Sequence, residues 1–315
     1  MIINKKQVGK GYYALLILLM ISISVNGIGQ TADNNLKNKK ETKKGVTNSN
    51  ESLIALNDAI QKDSNNTDAY YIRGLYKRDK KDTIGAIKDF SKAIELDSNY
   101  SDSYFDRGLI RCKTKDWAEA LSDFNKVIKL DSNKAEAYFN RALIKKKLKD
   151  TIGALRDYDK LMELNPYDLD GLIDRGILKA HCGNYKEAIE DYTKAILIDK
   201  ENYDAHLFRG TAERKTGDNK GALEDFDIVI ELNPKESSSF DNRGLVKENI
   251  GDVVGALSDF NEAVKLKPDN AHALYNRGYL EFTLGRKDSA CEDFRKALEY
   301  GSPRASEMIK KNCNN

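Results

Sequence analysis

Proline is scarce in this sequence, with four in 315 residues. Proline removes a backbone donor and breaks helix interiors, so its scarcity leaves room for an extensively helical chain. Histidine is scarcer still, at 181, 206 and 272 only, and the four cysteines (112, 182, 291 and 313) form no CxxC pair. Scattered histidines without paired cysteines exclude the usual zinc-site spacings. Net charge is almost absent: 52 basic residues stand against 50 acidic ones. That balance excludes a whole-protein electrostatic footprint for nucleic acid. GxSxG, HExxH and a phosphate-binding glycine loop are also lacking. The sequence therefore predicts no enzyme, no cofactor, no metal and no small-molecule substrate.

Long hydrophobic runs are confined to the N-terminus. Lys5, Lys6 and Lys10 precede an apolar stretch from Ala14 to Val25, and Gly27 and Gly29 follow it. This is the three-part plan of a secretory signal peptide, 1–29, with cleavage expected after Gly29. The alternative is an uncleaved membrane anchor, for which the stretch is short, since a spanning helix needs about 20 apolar residues. No cysteine follows the run, which excludes a lipoprotein-type anchor. The expected location is periplasmic or secreted, or else N-terminally anchored in the membrane. Residues 30–50 are polar, rich in Asn and Lys, and without periodicity. They read as a linker, either a solvated spacer or an electrostatic tether.

What is present in abundance is repetition. Written from Thr67 in units of 34 residues, the chain gives seven units ending at Arg304 without insertion or deletion. The eighth column holds Gly74, Gly108, Ala142, Gly176, Gly210, Gly244 and Gly278. The twentieth is Ala in every unit, from Ala86 to Ala290, and the twenty-fourth is always Phe or Tyr, from Phe90 to Phe294. Small residues let two helices approach, and the aromatic fills the space beside them. Each unit reads as two antiparallel helices joined by a short turn, often Gly-Asp or Gly-Asn, as at Gly217-Asp218. Residues 51–66 carry a half-repeat helix before the array, and 302–313 a capping helix after it, opened by Ser302-Pro303 as N-cap and first turn. A stack needs such ends to hide its last apolar face.

With its period and these columns, residues 67–304 resemble the tetratricopeptide repeat. The resemblance implies an all-α fold, a right-handed superhelical solenoid of antiparallel helix pairs. It also implies that the first helix of each unit lines a concave groove for a partner's peptide or helix. The expected function is protein–protein interaction as an adaptor. The alternatives are an assembly factor of a cell-envelope complex or a non-catalytic regulatory subunit.

The groove candidates follow from that first helix. An apolar floor is expected from Tyr71, Phe105, Phe139, Tyr275 and Tyr279. An acidic N-terminal edge is expected from Asp68, Asp102, Asp106, Glu136, Asp170, Asp174 and Asp204, giving way to Asn140, Asn242 and Asn276. Such an edge would favour a basic or neutral segment. Equally, the acids suit helix N-termini. The subtype that clamps acidic chaperone tails uses lysines on the first helices. The matching positions here hold Tyr71, Leu75, Glu136 and Asn140, so that partner is not expected.

Two further patterns stand out. The seventh column is Arg in every unit (73, 107, 141, 175, 209, 243, 277) and the twenty-third is Asp (89, 123, 157, 191, 225, 259, 293). Matched charges on facing helices predict an internal pair in each repeat, rather than an arginine row for acidic ligands. Cys112 and Cys182 lie two units apart, too far to bond, and are expected as small half-buried apolar residues. Cys291 and Cys313 are placed to staple the capping helix to the last repeat.

Overall fold

The structure, a computed structural model, describes residues 49–313. The expected signal segment and nearly all of the expected linker lie outside the described residues. Among the described residues there are 16 helices and no strand. Ser49–Lys62 comes first, beginning two residues inside the stretch expected as linker. Seven helix pairs follow. Their first, or A, helices are Thr67–Asp79, Ser101–Thr114, Ala135–Lys147, Leu169–His181, Tyr203–Thr216, Ser237–Asn249 and Ala271–Thr283. Their B helices are Thr83–Leu96, Trp117–Leu130, Thr151–Leu164, Tyr185–Ile198, Asn219–Leu232, Val253–Leu266 and Lys287–Glu299. Pro303–Asn312 closes the chain. The described chain divides into two compact units, one ending at Asp157 and one beginning at Tyr158. No described helix is long and apolar enough to cross a membrane.

The A–B turn has one geometry in all seven repeats. The N–H of its sixteenth residue returns to the carbonyl of the eleventh at 2.9–3.0 Å, from Asp82 to Lys77 through to Arg286 to Glu281. That bond is the signature of a Schellman ending, which requires a left-handed residue between. The next helix then starts on a side-chain cap: Asp82, Asp150, Asp218 and Asp252 each accept the amide of the glycine three residues on, at 2.9–3.0 Å.

The left-handed position is glycine in repeats 4 to 7 (Gly183, Gly217, Gly251, Gly285) but lysine in repeats 1 to 3, with φ of +64° at Lys81, +68° at Lys115 and +62° at Lys149. An L side chain there costs about 1–2 kcal/mol, and glycine's extra unfolded-state freedom takes back about 0.5–1 kcal/mol. Each Lys→Gly change at these positions should therefore raise stability by about 0.5–1 kcal/mol, read as an increase in the urea midpoint at unchanged slope.

Between the helices the columns do the packing. All seven column-twenty alanines are fully buried, and the seven aromatics of column twenty-four are 0–1% exposed. A side chain at Gly176 would place its Cβ 2.6 Å from the Tyr192 ring, so the column-eight glycine sets how near the A helix can come. In repeat 2, Phe124 and Val127 pack with Leu109 and with Ala137 and Ile144 of the next repeat. Burying one such aromatic contributes about 1.5–3 kcal/mol. Each repeat thus completes its core on its neighbour, the condition for a stack. At the C-terminus Ala305, Met308, Ile309 and Cys313 of the closing segment cover Leu274, Phe294 and Ala297. Pro303 occupies the first turn, while Ser302, expected as a capping side chain, makes no cap hydrogen bond and is itself buried.

Candidate interaction surface

Any surface offered to a partner must be what remains after the repeats have satisfied one another. The arginine column is consumed internally. In every repeat the arginine Nε and one Nη donate to the two oxygens of the aspartate sixteen residues on, at 2.5–3.1 Å. The remaining Nη1 reaches back sixteen residues, to Asn57, Ser91, Asn125, Asp159, Thr193, Asp227 and Asn261 in turn. One guanidinium therefore joins its own A helix, its own B helix and the B helix before it. A second cation often completes the aspartate: Lys77, Arg111, Lys145, Lys179 and Lys247 lie 2.6–2.9 Å from it. With these contacts burial costs are offset by charge-assisted bonds. The bonds it donates to Asp259 and Asp227 hold the Arg243 guanidinium above its ordinary pKa.

Sequence reasoning paired two of these columns and missed two. The twenty-fifth column is Asn, Ser, Asp or Thr wherever another repeat follows. In the last repeat, with no arginine to receive, it becomes Arg295, which donates instead to the Cys313 carbonyl at 3.4 Å. That switch was the available signal.

The expected acidic edge of the first unit is largely committed to the stack. Asp68 accepts from the Tyr100 hydroxyl at 2.6 Å, and Asp102 pairs with Lys134 at 2.7 Å. Asp106 is buried, accepting from the Tyr71 hydroxyl at 2.9 Å and from Arg78 at 2.5 Å. Burial raises its pKa, with the Arg78 guanidinium acting against the rise. Burial also raises the Tyr71 phenol, joined by the nearby carboxylates of Asp106 and Asp102. Phe139 and Asn140 are buried as well, at 6% and 2% exposure, and the Asn140 amide donates to the Glu136 carbonyl. Asp106, Phe139 and Asn140 are therefore packing residues, not an open groove lining. Phe105 is half-buried against Phe124, with Lys134 over its other side, and Glu136 is exposed.

In the second unit more of the expected surface is open. Asp204 is exposed, while Asp170, Asp174, Asn242, Tyr275 and Asn276 are half-buried. Tyr279 is 43% exposed and stacks on Tyr275 with ring centroids 6.3 Å apart. Beside them Asp241 is buried and accepts from the Asn276 amide at 2.8 Å. Burial raises the Asp241 pKa and lowers that of Arg214. This unit also carries the acidic excess, with 30 acidic against 23 basic residues in 158–315 and 20 against 29 in 1–157.

Repeat 5 departs from the ladder. Glu213 stands where its four predecessors have a cation, and the His206 ring contacts Asp225, Nδ1 to Oδ1 at 2.7 Å, with Nε2 3.0 Å from the Lys200 carbonyl. Glu213 lies 3.6 Å from Arg209 and faces Asp225 and Asp218. Burial first, then the Asp225 charge, push its pKa up to about 7. A raised carboxyl stabilises the fold while it holds its proton, and that contribution is lost as pH rises from the ordinary carboxylate range through about 7. The denaturation midpoint should therefore fall between about pH 5 and pH 8 in the natural chain. A Glu213→Gln variant should flatten that fall.

Cys112 is buried, which pushes its thiol up to about 12, whereas Cys182, expected as half-buried, is exposed. Cys291 and Cys313 are joined by a disulfide. Among the described residues no group of three or more His, Cys, Asp or Glu is placed to hold a metal ion.

Profiles of the tetratricopeptide repeat match residues 67–100 and 135–168, and again 174–237 and 242–306. The chain belongs to the tetratricopeptide-repeat family. Solved structures agree on the fold. A tetratricopeptide repeat protein from Parabacteroides merdae is 22% identical, covers 79% of this chain and 99% of its own, and superposes with a TM-score of 0.56. PilF of Pseudomonas aeruginosa is 19% identical over 67% of this chain and 97% of its own, with a TM-score of 0.55. No curated protein matches the sequence. The tetratricopeptide repeats make this chain a protein–protein interaction module, of a scaffold family that is generally non-catalytic.

Proposed function

We propose that the protein is an adaptor that holds a basic or neutral segment of a partner along the A-helix faces of the second unit. The observation that carries this reading is the Tyr275–Tyr279 stack. Tyr279 presents an exposed ring on an A helix of a unit whose charge is otherwise acidic. Exposed aromatics on a rigid element are the residues most often found at the centre of binding energy, and the acidic excess would steer a basic segment toward them. The setting we propose is the cell envelope or the secreted space. The lysine-led apolar run at 14–25 supports export, and so does the Cys291–Cys313 bond, since disulfides persist in oxidising compartments.

Affinity capture from the protein's own cell envelope, read by mass spectrometry, tests the adaptor reading. The natural chain should retain a discrete partner. A Tyr279→Ala, Asp204→Lys double variant should retain it at least tenfold less well, as loss of a hot-spot aromatic costs about 2 kcal/mol or more. Equal retention would move the site off these faces and favour an assembly factor contacting its complex elsewhere.

A further inference from the structure

We propose that the A–B turn edge of the first unit is a docking surface for an anionic phospholipid bilayer. The Schellman turn needs a left-handed residue, and repeats 4 to 7 meet that need with glycine. Repeats 1 to 3 use Lys81, Lys115 and Lys149 instead, against the backbone's preference. Turn geometry gives no reason for lysine at these three positions. A backbone outlier that recurs is a reason to look for function.

Each of these lysines has a second exposed lysine beside it: Lys80, Lys113 and Lys147. The corresponding residues of repeats 4 to 7 include one lysine, Lys215. Because the turns are equivalent within one compact unit, the pairs lie along one edge, succeeding each other at about the 10 Å spacing of packed helices. The carboxylates among them are occupied within the turns. Asp82 and Asp150 accept helix amides, Asp116 accepts from the Thr114 hydroxyl, and Asp79 pairs with Arg78. The edge thus sets six lysines against four aspartates, in a unit whose described residues, 49–157, hold 21 basic against 18 acidic residues.

Charge alone would suit any polyanion. The aliphatic residues on the same edge select a bilayer. Leu148 sits between Lys147 and Lys149 and is 49% exposed, and Ile84 and Ile152, three residues beyond Lys81 and Lys149, are 83% and 67% exposed. Basic side chains flanking exposed aliphatics fit the interface of an anionic membrane, where the cations meet headgroups and the aliphatic groups enter the acyl boundary. Single-stranded nucleic acid would call for aromatic platforms, and no large aromatic is strongly exposed on this edge.

Vesicle flotation with the full chain tests the proposal, comparing phosphatidylglycerol-containing with pure phosphatidylcholine vesicles. The decisive variant is Lys81→Gly, Lys115→Gly, Lys149→Gly, which keeps the turn geometry and should fold at least as well as the natural chain. It should bind the anionic vesicles on the order of a hundredfold more weakly, about fivefold per lysine. A control carrying Lys186→Ala, Lys194→Ala and Lys220→Ala in the second unit should bind as the natural chain does. Any contribution from the N-terminal apolar run or residues 37–44 is common to all three proteins and cancels. Equal binding by the glycine variant and the natural chain would overturn the proposal. So would a natural chain that ignores anionic vesicles while holding a soluble DNA oligonucleotide.

Discussion

Replacing Asp191 with alanine should lower the stability of the second unit by about 3–5 kcal/mol, the cost of leaving buried charges without their partner. Asp191 is 1% exposed and accepts from Arg175 at 2.5 and 2.9 Å and from Lys179 at 2.9 Å. Without it two cations of one A helix, Arg175 and Lys179, are left at the A–B interface without the carboxylate they share. The loss would not stay local, because Arg175 also holds Asp159 at 2.9 Å and so ties repeat 4 to the B helix before it. In a stack, stability is close to a sum of repeat terms and nearest-neighbour terms. One aspartate here touches both. A urea titration followed by circular dichroism reads the effect as a lowered midpoint. An equally buried but uncharged change, Ala188→Gly on the same helix, should cost only about 1 kcal/mol. If the two variants unfolded alike, the ladder would be a by-product of packing rather than a support of it.

The second large effect is expected at the C-terminal cap. The Cys291–Cys313 bond closes 22 residues of chain. Restricting a loop of that size in the unfolded state contributes about 3 kcal/mol. Cys313→Ser should remove it, and the first consequence should be release of Pro303–Asn312. That helix holds few apolar groups of its own, yet with Cys313 it covers Leu274, Phe294 and Ala297. Hydrogen exchange should therefore quicken in 287–312 before it changes in repeats 4 to 6, and reducing agent should reproduce the variant's behaviour in the natural chain. Uniform exchange in the presence and absence of reductant would mean that packing alone holds the cap.

Legibility in the sequence followed how often a feature repeats. The helix pairs, their phase, the buried Ala and aromatic columns and the Arg–Asp pairs all recur seven times, so one sequence serves as its own alignment. Details made by contacts between repeats were harder to read. Asp106 and Asp174 occupy the same sixth column of their A helices. Tyr71 and Arg78 of the preceding repeat close over Asp106, which is buried, while Asp174 is half-buried. No count along a single helix separates the two. The same holds for Phe139 and Asn140, both buried. Glu213 was legible in principle, as one of two acids with Glu281 in a column otherwise of cations, but that column matters only once its contact with the buried aspartate is known. The candidate surface thus shifted from an acidic N-terminal edge to the tyrosine pair of repeat 7 and the acidic second unit.

The measurement that bears most directly on the account is site-specific photo-crosslinking in living cells, with a photoreactive residue placed at Tyr279 or at Lys194, exposed on a B helix. The adaptor reading predicts a discrete crosslinked protein at position 279 and none at 194. The same product from both positions, or a product at 194 alone, would contradict binding along the A-helix faces.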